Sequence, residues 1–153
     1  YSLLRKILDE QKPDLTKPLT GETETLGSQL LCPTPLYGPR VTPWLKKYPI
    51  NGLAHITGGG LVGNLPRILP SSCRIQLERE RWPRRPLYQT FQEWGQISEA
   101  EMLKVFNDGI GLVIILPADA ATPLLKEAMG TLEAWTIGTV LPRELQQPAV
   151  AIG

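Results

Sequence analysis

Leu3, Leu4, Ile7 and Leu8 recur at the spacing of one helical face, with Arg5, Lys6, Asp9 and Glu10 between them, so residues 1–11 are predicted to form a helix with a single apolar stripe. The stripe stops at Gln11. From there to Gly27 the run Lys12-Pro13-Asp14-Leu15-Thr16-Lys17-Pro18, followed by Gly21 and several threonines, reads as an exposed, mobile loop. Ser28–Leu31 resumes a short helix. Pro33, Pro35, Gly38, Pro39 and Pro43 then keep the chain extended or turning as far as a short helix over Trp44–Tyr48.

Gly52–Thr57 reads as a small buried strand, followed by three glycines and a helix over Leu61–Leu69 that Pro66 and Pro70 limit to about two turns. Cys73, Ile75 and Leu77 alternate with Arg74, Gln76 and Glu78, the period of a strand with one wet face. Leu87–Trp94 is a helix ended by Gly95. Ser98-Glu99-Ala100-Glu101 is a capping box that starts a helix running to about Asn107 and stopping at Gly109. The continuous apolar run Gly111–Leu116 predicts a central strand buried on both faces. Thr122-Pro123 caps a helix ending at Gly130, and Ala134–Val140 and Ala149–Ile152 are two more strands. This order predicts an α/β (α+β) domain with helices packed on one mixed β-sheet.

Composition narrows the classes. With 16 Lys+Arg against 15 Asp+Glu in 153 residues, no global field draws in nucleic acid or an anionic membrane, so neither is an expected partner and any anion must be caught locally. No apolar run reaches the ~18 residues of a membrane span. The two cysteines, Cys32 and Cys73, lie far apart without a neighbouring histidine; they read as reduced thiols of a cytoplasmic protein, and no metal site is expected. The 15 prolines and 14 glycines exclude long uninterrupted helices. The chain opens without methionine and with a helical pattern already running, which reads as a piece of something longer.

The sharpest chemistry lies at His55-Ile56-Thr57-Gly58-Gly59-Gly60, leading through Asn64 to Arg67. Adjacent glycines after a strand let backbone amides approach a ligand with no Cβ in the way, and a phosphate is the simplest occupant. Thr57 adds a hydroxyl. The bland alternative is that the glycines only permit tight strand-to-helix packing. Gly58, Gly60 and Gly63 also satisfy G-x-G-x-x-G, but the short helix and the lack of a second parallel half argue against a dinucleotide fold. No Lys-Ser or Lys-Thr follows the glycines as a nucleoside-triphosphate loop requires. His55 is the only histidine, so it is either the chain's imidazole acid–base or a packed, hydrogen-bonded side chain. Arg74, Arg79, Arg81, Arg84 and Arg85, diluted by Glu78 and Glu80, fit a solvated strand edge better than a nucleic-acid patch.

Taken together, Gly52-Leu53-Ala54-His55-Ile56-Thr57-Gly58-Gly59-Gly60-Leu61 and Asn64-Leu65-Pro66-Arg67-Ile68-Leu69-Pro70 resemble the signature of the aminoimidazole ribonucleotide synthetases, the phosphoribosylformylglycinamidine cyclo-ligases of purine biosynthesis. Tyr1-Ser2-Leu3, Pro33-Thr34-x-x-Tyr37, Trp82-Pro83, Gly95-Gln96-Ile97, Glu101-Met102, Phe106-Asn107-x-Gly109-Ile110-Gly111 and Ile137-Gly138 continue the likeness in order. The resemblance implies that residues 1–153 are a single C-terminal domain, a layered α/β/α unit with a mixed β-sheet, partly ferredoxin-like. It further implies a separate N-terminal half that forms a homodimer and supplies most of the apparatus for ATP and Mg²⁺.

Such enzymes close the ring of formylglycinamidine ribonucleotide with ATP, and this part alone is expected to be inactive. On the same resemblance, Thr57, Gly58, Gly59 and Gly60 hold a phosphate with Asn64 and Arg67 in support. His55 contacts the reacting substrate or orders the loop. Asn107 and Gly109 shape the opposite wall, Asn107 being equally readable as a helix cap. Val105 and Asp108 depart from the family's pattern around the Phe-Asn pair. The alternatives are a non-catalytic anion-binding module of the same fold and a sister ATP-dependent enzyme such as formylglycinamidine ribonucleotide synthetase.

Overall fold

The structure, a computed structural model, describes residues 2–153; Tyr1, which begins both the predicted first helix and the family likeness, lies outside the described residues. The apolar stripe forms helix α1 (Ser2–Gln11), and its buried Ile7 packs with Leu26 of α2 (Leu26–Leu31) and Phe91 of α5 (Pro86–Trp94). Burying each of these side chains contributes about 1.5–3 kcal/mol. Between α1 and α2 the chain folds back on itself, Leu26 N–H donating to Lys17 O at 2.8 Å and Gly27 N–H to Leu15 O at 2.9 Å. The expected loop therefore ends two residues early, because Thr25 caps α2 by accepting from Ser28 N–H.

Two helices begin earlier than predicted, for one reason. Helix α3 spans Gly38–Lys47 and α7 spans Ala118–Ala128, so Pro39, Pro43 and Pro123 stand inside helices rather than before them. Pro39 sits in the first turn, where the amide it lacks would be unpaired anyway. Pro43 and Pro123 are exposed, so the carbonyls they leave unpaired in the preceding turn are left to water. The Ser98 half of the capping box forms: Ser98 Oγ accepts from Glu101 N–H at 3.3 Å and starts α6 (Glu99–Val105). Gly95 ends α5 as expected but with an ordinary φ of −86°; the left-handed residue is Gln96, at φ 49°.

The α/β class holds, but the strands divide into two sheets instead of one. β1 (Gly52–His55) and β3 (Leu112–Ile115) form an antiparallel ribbon, while β2 (Cys73–Leu77) stands between antiparallel β4 (Gly138–Pro142) and parallel β5 (Val150–Ile152) in a mixed sheet. β3 is therefore not central. It is still apolar on both sides, which is what its sequence encodes. Ala54 and Val113 face a core shared with Leu61, Leu65, Ile75, Leu77, Trp82 and Leu103. Leu53, Leu112 and Ile114 face a second cluster made with Val41 and Trp44 of α3 and Leu124 and Ala128 of α7.

A candidate anion groove at the end of strand β1

His55 is the last residue of β1, paired in register with Leu112 and on the same face as Leu53 and Ile114. It is exposed. The next residue, Ile56, is buried and donates its N–H to Gly111 O at 2.9 Å, after which Thr57 and Gly58 come out to solvent. Helix α4 (Gly60–Asn64) follows and continues into a 3₁₀ turn at Leu65–Ile68. Among the described residues the amides of Thr57, Gly58 and Gly59 have no hydrogen-bond partner, whereas Gly60 N–H donates to Thr57 O at 3.0 Å. The expected cradle thus narrows by one residue. Gly60 is buried, at φ +57°, and a Cβ there would lie 2.1 Å from Leu103 O and 2.6 Å from Phe106 O. At Gly60 the packing explanation of the glycines is the correct one; at Gly58 nothing stands within 4 Å of a built Cβ.

Asn64 and Arg67, expected to support the ligand, are placed differently. Asn64 is 5% exposed, and its Nδ2 donates to the carbonyls of Gly60 at 2.8 Å, Gly58 at 3.3 Å and Thr57 at 3.4 Å. It clamps the loop from behind, turning the carbonyls inward. Asn64→Ala should cost about 2 kcal/mol by removing the buried bond to Gly60 O and the part-buried bonds that hold the loop, read as a lowered Tm together with weaker phosphate binding. Arg67 is exposed on the 3₁₀ turn, and the structure does not bring it to the groove that His55, Thr57 and Gly58 line.

The opposite wall is the end of α6. Asn107 Oδ1 accepts from Gly109 N–H at 3.3 Å and from the Tyr88 hydroxyl, so both donors fix the amide with its oxygen inward. The cap of α6 is Phe106, whose N–H donates to Met102 O, so Asn107 is not the helix cap; it braces the turn to Gly109 and lines the groove with it. Asp108 and Gly109 both adopt left-handed backbone, φ 48° and 87°. The Asp108 carboxylate is buried behind the wall, with Oδ2 2.8 Å from Arg79 Nη2 but off the line of a hydrogen bond. Arg79 Nη1 donates to Trp82 O at 3.0 Å, and the guanidinium lies over the Trp82 ring at 4.5 Å. Burial raises the Asp108 pKa despite the attraction of Arg79, and burial lowers that of Arg79 despite Asp108.

Two lining residues had only a faint signal in the sequence. Tyr37, present in the Pro33-Thr34-x-x-Tyr37 match, sets its ring edge-on to His55 with centroids 5.9 Å apart. Burial raises its pKa, with Arg85 opposing. Arg85 comes from the arginine-rich stretch and pairs with Glu133 across the groove mouth. The other arginines are also engaged: Arg81 with Glu78, Arg84 with Glu99, and Arg74 with Gln76.

The groove encloses about 1270 Å³, room for a nucleotide-sized ligand. It offers an imidazole, a hydroxyl, the free amides of Thr57 and Gly58 and a guanidinium, a donor set suited to anionic oxygen, with the free amide of Gly59 next in the chain. Among the described residues no group of three or more His, Cys, Asp or Glu side chains could hold a metal ion. No helix among the described residues is long and apolar enough to cross a membrane.

Fold and groove together define an α/β domain with a donor-lined cleft at a strand end. The family described as AIR synthase related protein, C-terminal domain, matches residues 1–149, and the chain belongs to that family. It is 43% identical over 143 residues to the phosphoribosylformylglycinamidine cyclo-ligase of Paraburkholderia phymatum, a match covering 92% of this chain and 39% of that protein. The proteins of the same name from Burkholderia ambifaria and Burkholderia mallei are 40% and 41% identical over 141 residues, covering 92% of this chain and 40% of each relative. The chain thus spans about two fifths of the length of these relatives.

Proposed function

We propose that residues 1–153 form the C-terminal, substrate-side domain of a phosphoribosylformylglycinamidine cyclo-ligase acting in the cytoplasm. ATP binding, Mg²⁺ and homodimer formation belong mainly to the part of the relatives that this chain does not cover. The observation that carries the reading is the set of unpartnered amides at Thr57–Gly59 beside the only imidazole, in a chain this similar to proteins of that name. In the proposed reaction the formyl oxygen of formylglycinamidine ribonucleotide takes the γ-phosphoryl group of ATP, releasing ADP. The amidine nitrogen then attacks the same carbon, sheds a proton, and expels phosphate as the imidazole ring closes.

Such chemistry is served by positioning and charge neutralisation. Thr57, Gly58 and Gly59 hold a phosphate, using amides already fixed by the Asn64 clamp, so that little reorganisation accompanies binding. Asn107 and Gly109 close the far side of the groove, and His55 contacts the reacting substrate. Gly60, Asn64 and Arg67 leave the direct ligand set.

The test is ring closure assayed with ATP and formylglycinamidine ribonucleotide. The chain joined to its N-terminal half is expected to make product and the chain alone to make none; a joined chain that never makes product rejects the enzyme reading. In the joined protein His55→Ala should lower kcat/KM by about 100-fold with Tm unchanged, because His55 is exposed and carries no hydrogen bond among the described residues. A variant as active as the parent would remove His55 from the chemistry.

A further inference from the structure

No hydrogen bond among the described residues fixes the His55 ring, yet a group that contacts reacting atoms must be held in one orientation. Its ring contact is with Tyr37, edge-on at 63° with centroids 5.9 Å apart. Tyr37 arrives from the extended stretch before α3, which is anchored by buried Val41 and Trp44. Its hydroxyl sits in a notch that only a glycine leaves open: a Cβ on Gly111 would lie 2.0 Å from the Tyr37 oxygen and 3.0 Å from Cζ. Gly111 has no positive φ, so its backbone would accept alanine and the exclusion is steric. The carbonyl of Gly111 also accepts from Ile56 N–H at 2.9 Å, next to His55. One residue therefore both ties down the strand exit bearing the imidazole and seats the ring that touches it.

We infer that Tyr37, seated on Gly111, is the positioning residue for His55. The inference rests on the reading of this groove as the substrate site. Tyr37 acts through shape, and its hydroxyl matters only because it fills the notch. Two consequences separate this from a general packing role. Removing the ring should release His55 without loosening ligand binding, and enlarging Gly111 should harm the enzyme only while the hydroxyl is there to collide with it.

The experiment uses the full-length protein carrying this sequence. Tyr37→Ala is expected to lower kcat about tenfold with KM within about twofold, and Tyr37→Phe to stay close to the parent. Gly111→Ala should lose kcat by a similar factor, and Gly111→Ala combined with Tyr37→Phe should regain most of it, a non-additivity that marks direct coupling. A parallel reading needs no turnover: the nuclear Overhauser contact between the rings of residue 37 and His55 should be present in the parent, lost in Gly111→Ala, and restored in the double variant. Losses that simply multiply, a Tyr37→Ala defect confined to KM or Tm, or a ring contact that Gly111→Ala leaves intact would each overturn the inference. A parent that makes no product would instead reject the cyclo-ligase reading, while the ring-contact series still decides the role of Tyr37.

Discussion

Gly60→Ala is expected to be the most destabilising single substitution in the loop. The substitution forces an L-residue to φ +57° and drives a Cβ to within 2.1 Å of Leu103 O and 2.6 Å of Phe106 O. Left-handed backbone alone costs alanine about 1–2 kcal/mol. The clash adds more, because both obstacles are backbone atoms at the end of α6 and cannot rotate away as a side chain would. The combined cost, of the order of 4 kcal/mol, is a large share of the ~5–15 kcal/mol that stabilises a domain. Thermal unfolding of the full-length protein should show this part melting far below the parent. Gly58→Ala is the control: Gly58 has no positive φ and open space around a built Cβ, so its Tm should hold. A Gly60→Ala protein as stable as the parent would mean that α4 does not rest on α6 as described.

Asp108→Ala is the second large loss. The Asp108 and Arg79 side chains are 8% and 9% exposed, and burial outweighs their mutual attraction in the pKa shift of each. The pair is therefore weak as a source of net stability, but removing one member strands the other: truncation should cost about 3–5 kcal/mol. Arg79 also reaches Glu99 at 3.8 Å, an exposed carboxylate that cannot replace the buried one. Because Asp108 sits between Asn107 and Gly109 on the groove wall, the loss should extend to substrate affinity. Denaturant unfolding and KM should worsen together. Replacing both members, Asp108→Asn with Arg79→Met, should recover part of the stability; a double variant worse than Asp108→Ala would contradict the stranded-charge account.

What the sequence makes readable here is mostly what is local. The Ser98 cap and the α1 stripe each need only a few consecutive residues, and both form where predicted. The apolar run of β3 announces two covered faces correctly, but no local pattern says that helices α3 and α7 supply the second cover in place of more strands. Prolines mislead in a consistent way. Pro39, Pro43 and Pro123 read as boundaries, yet the structure places them where the lost donor is either unneeded or left to solvent.

The groove divides along the same line. His55, Thr57, Gly58, Asn107 and Gly109 meet on it as the motif suggests. Asn64 shares the motif with them but turns inward, where its amide donates to three loop carbonyls. The Arg79–Asp108 pair and the seating of Tyr37 on Gly111 join distant parts of the chain and become visible only in three dimensions. Asp108, read at first as a departure from the family's pattern, is the residue that fixes the wall behind Asn107.

The central claim is that the free main-chain nitrogens of Thr57, Gly58 and Gly59 receive anionic oxygen. The most direct measurement is a titration of the full-length protein, labelled with ¹⁵N at threonine and glycine, with inorganic phosphate and then with formylglycinamidine ribonucleotide. The account predicts that the amide signals of residues 57–59 move saturably while that of Gly60, already donating to Thr57 O, moves least. Signals at 57–59 that stay still while others in the protein respond would contradict it.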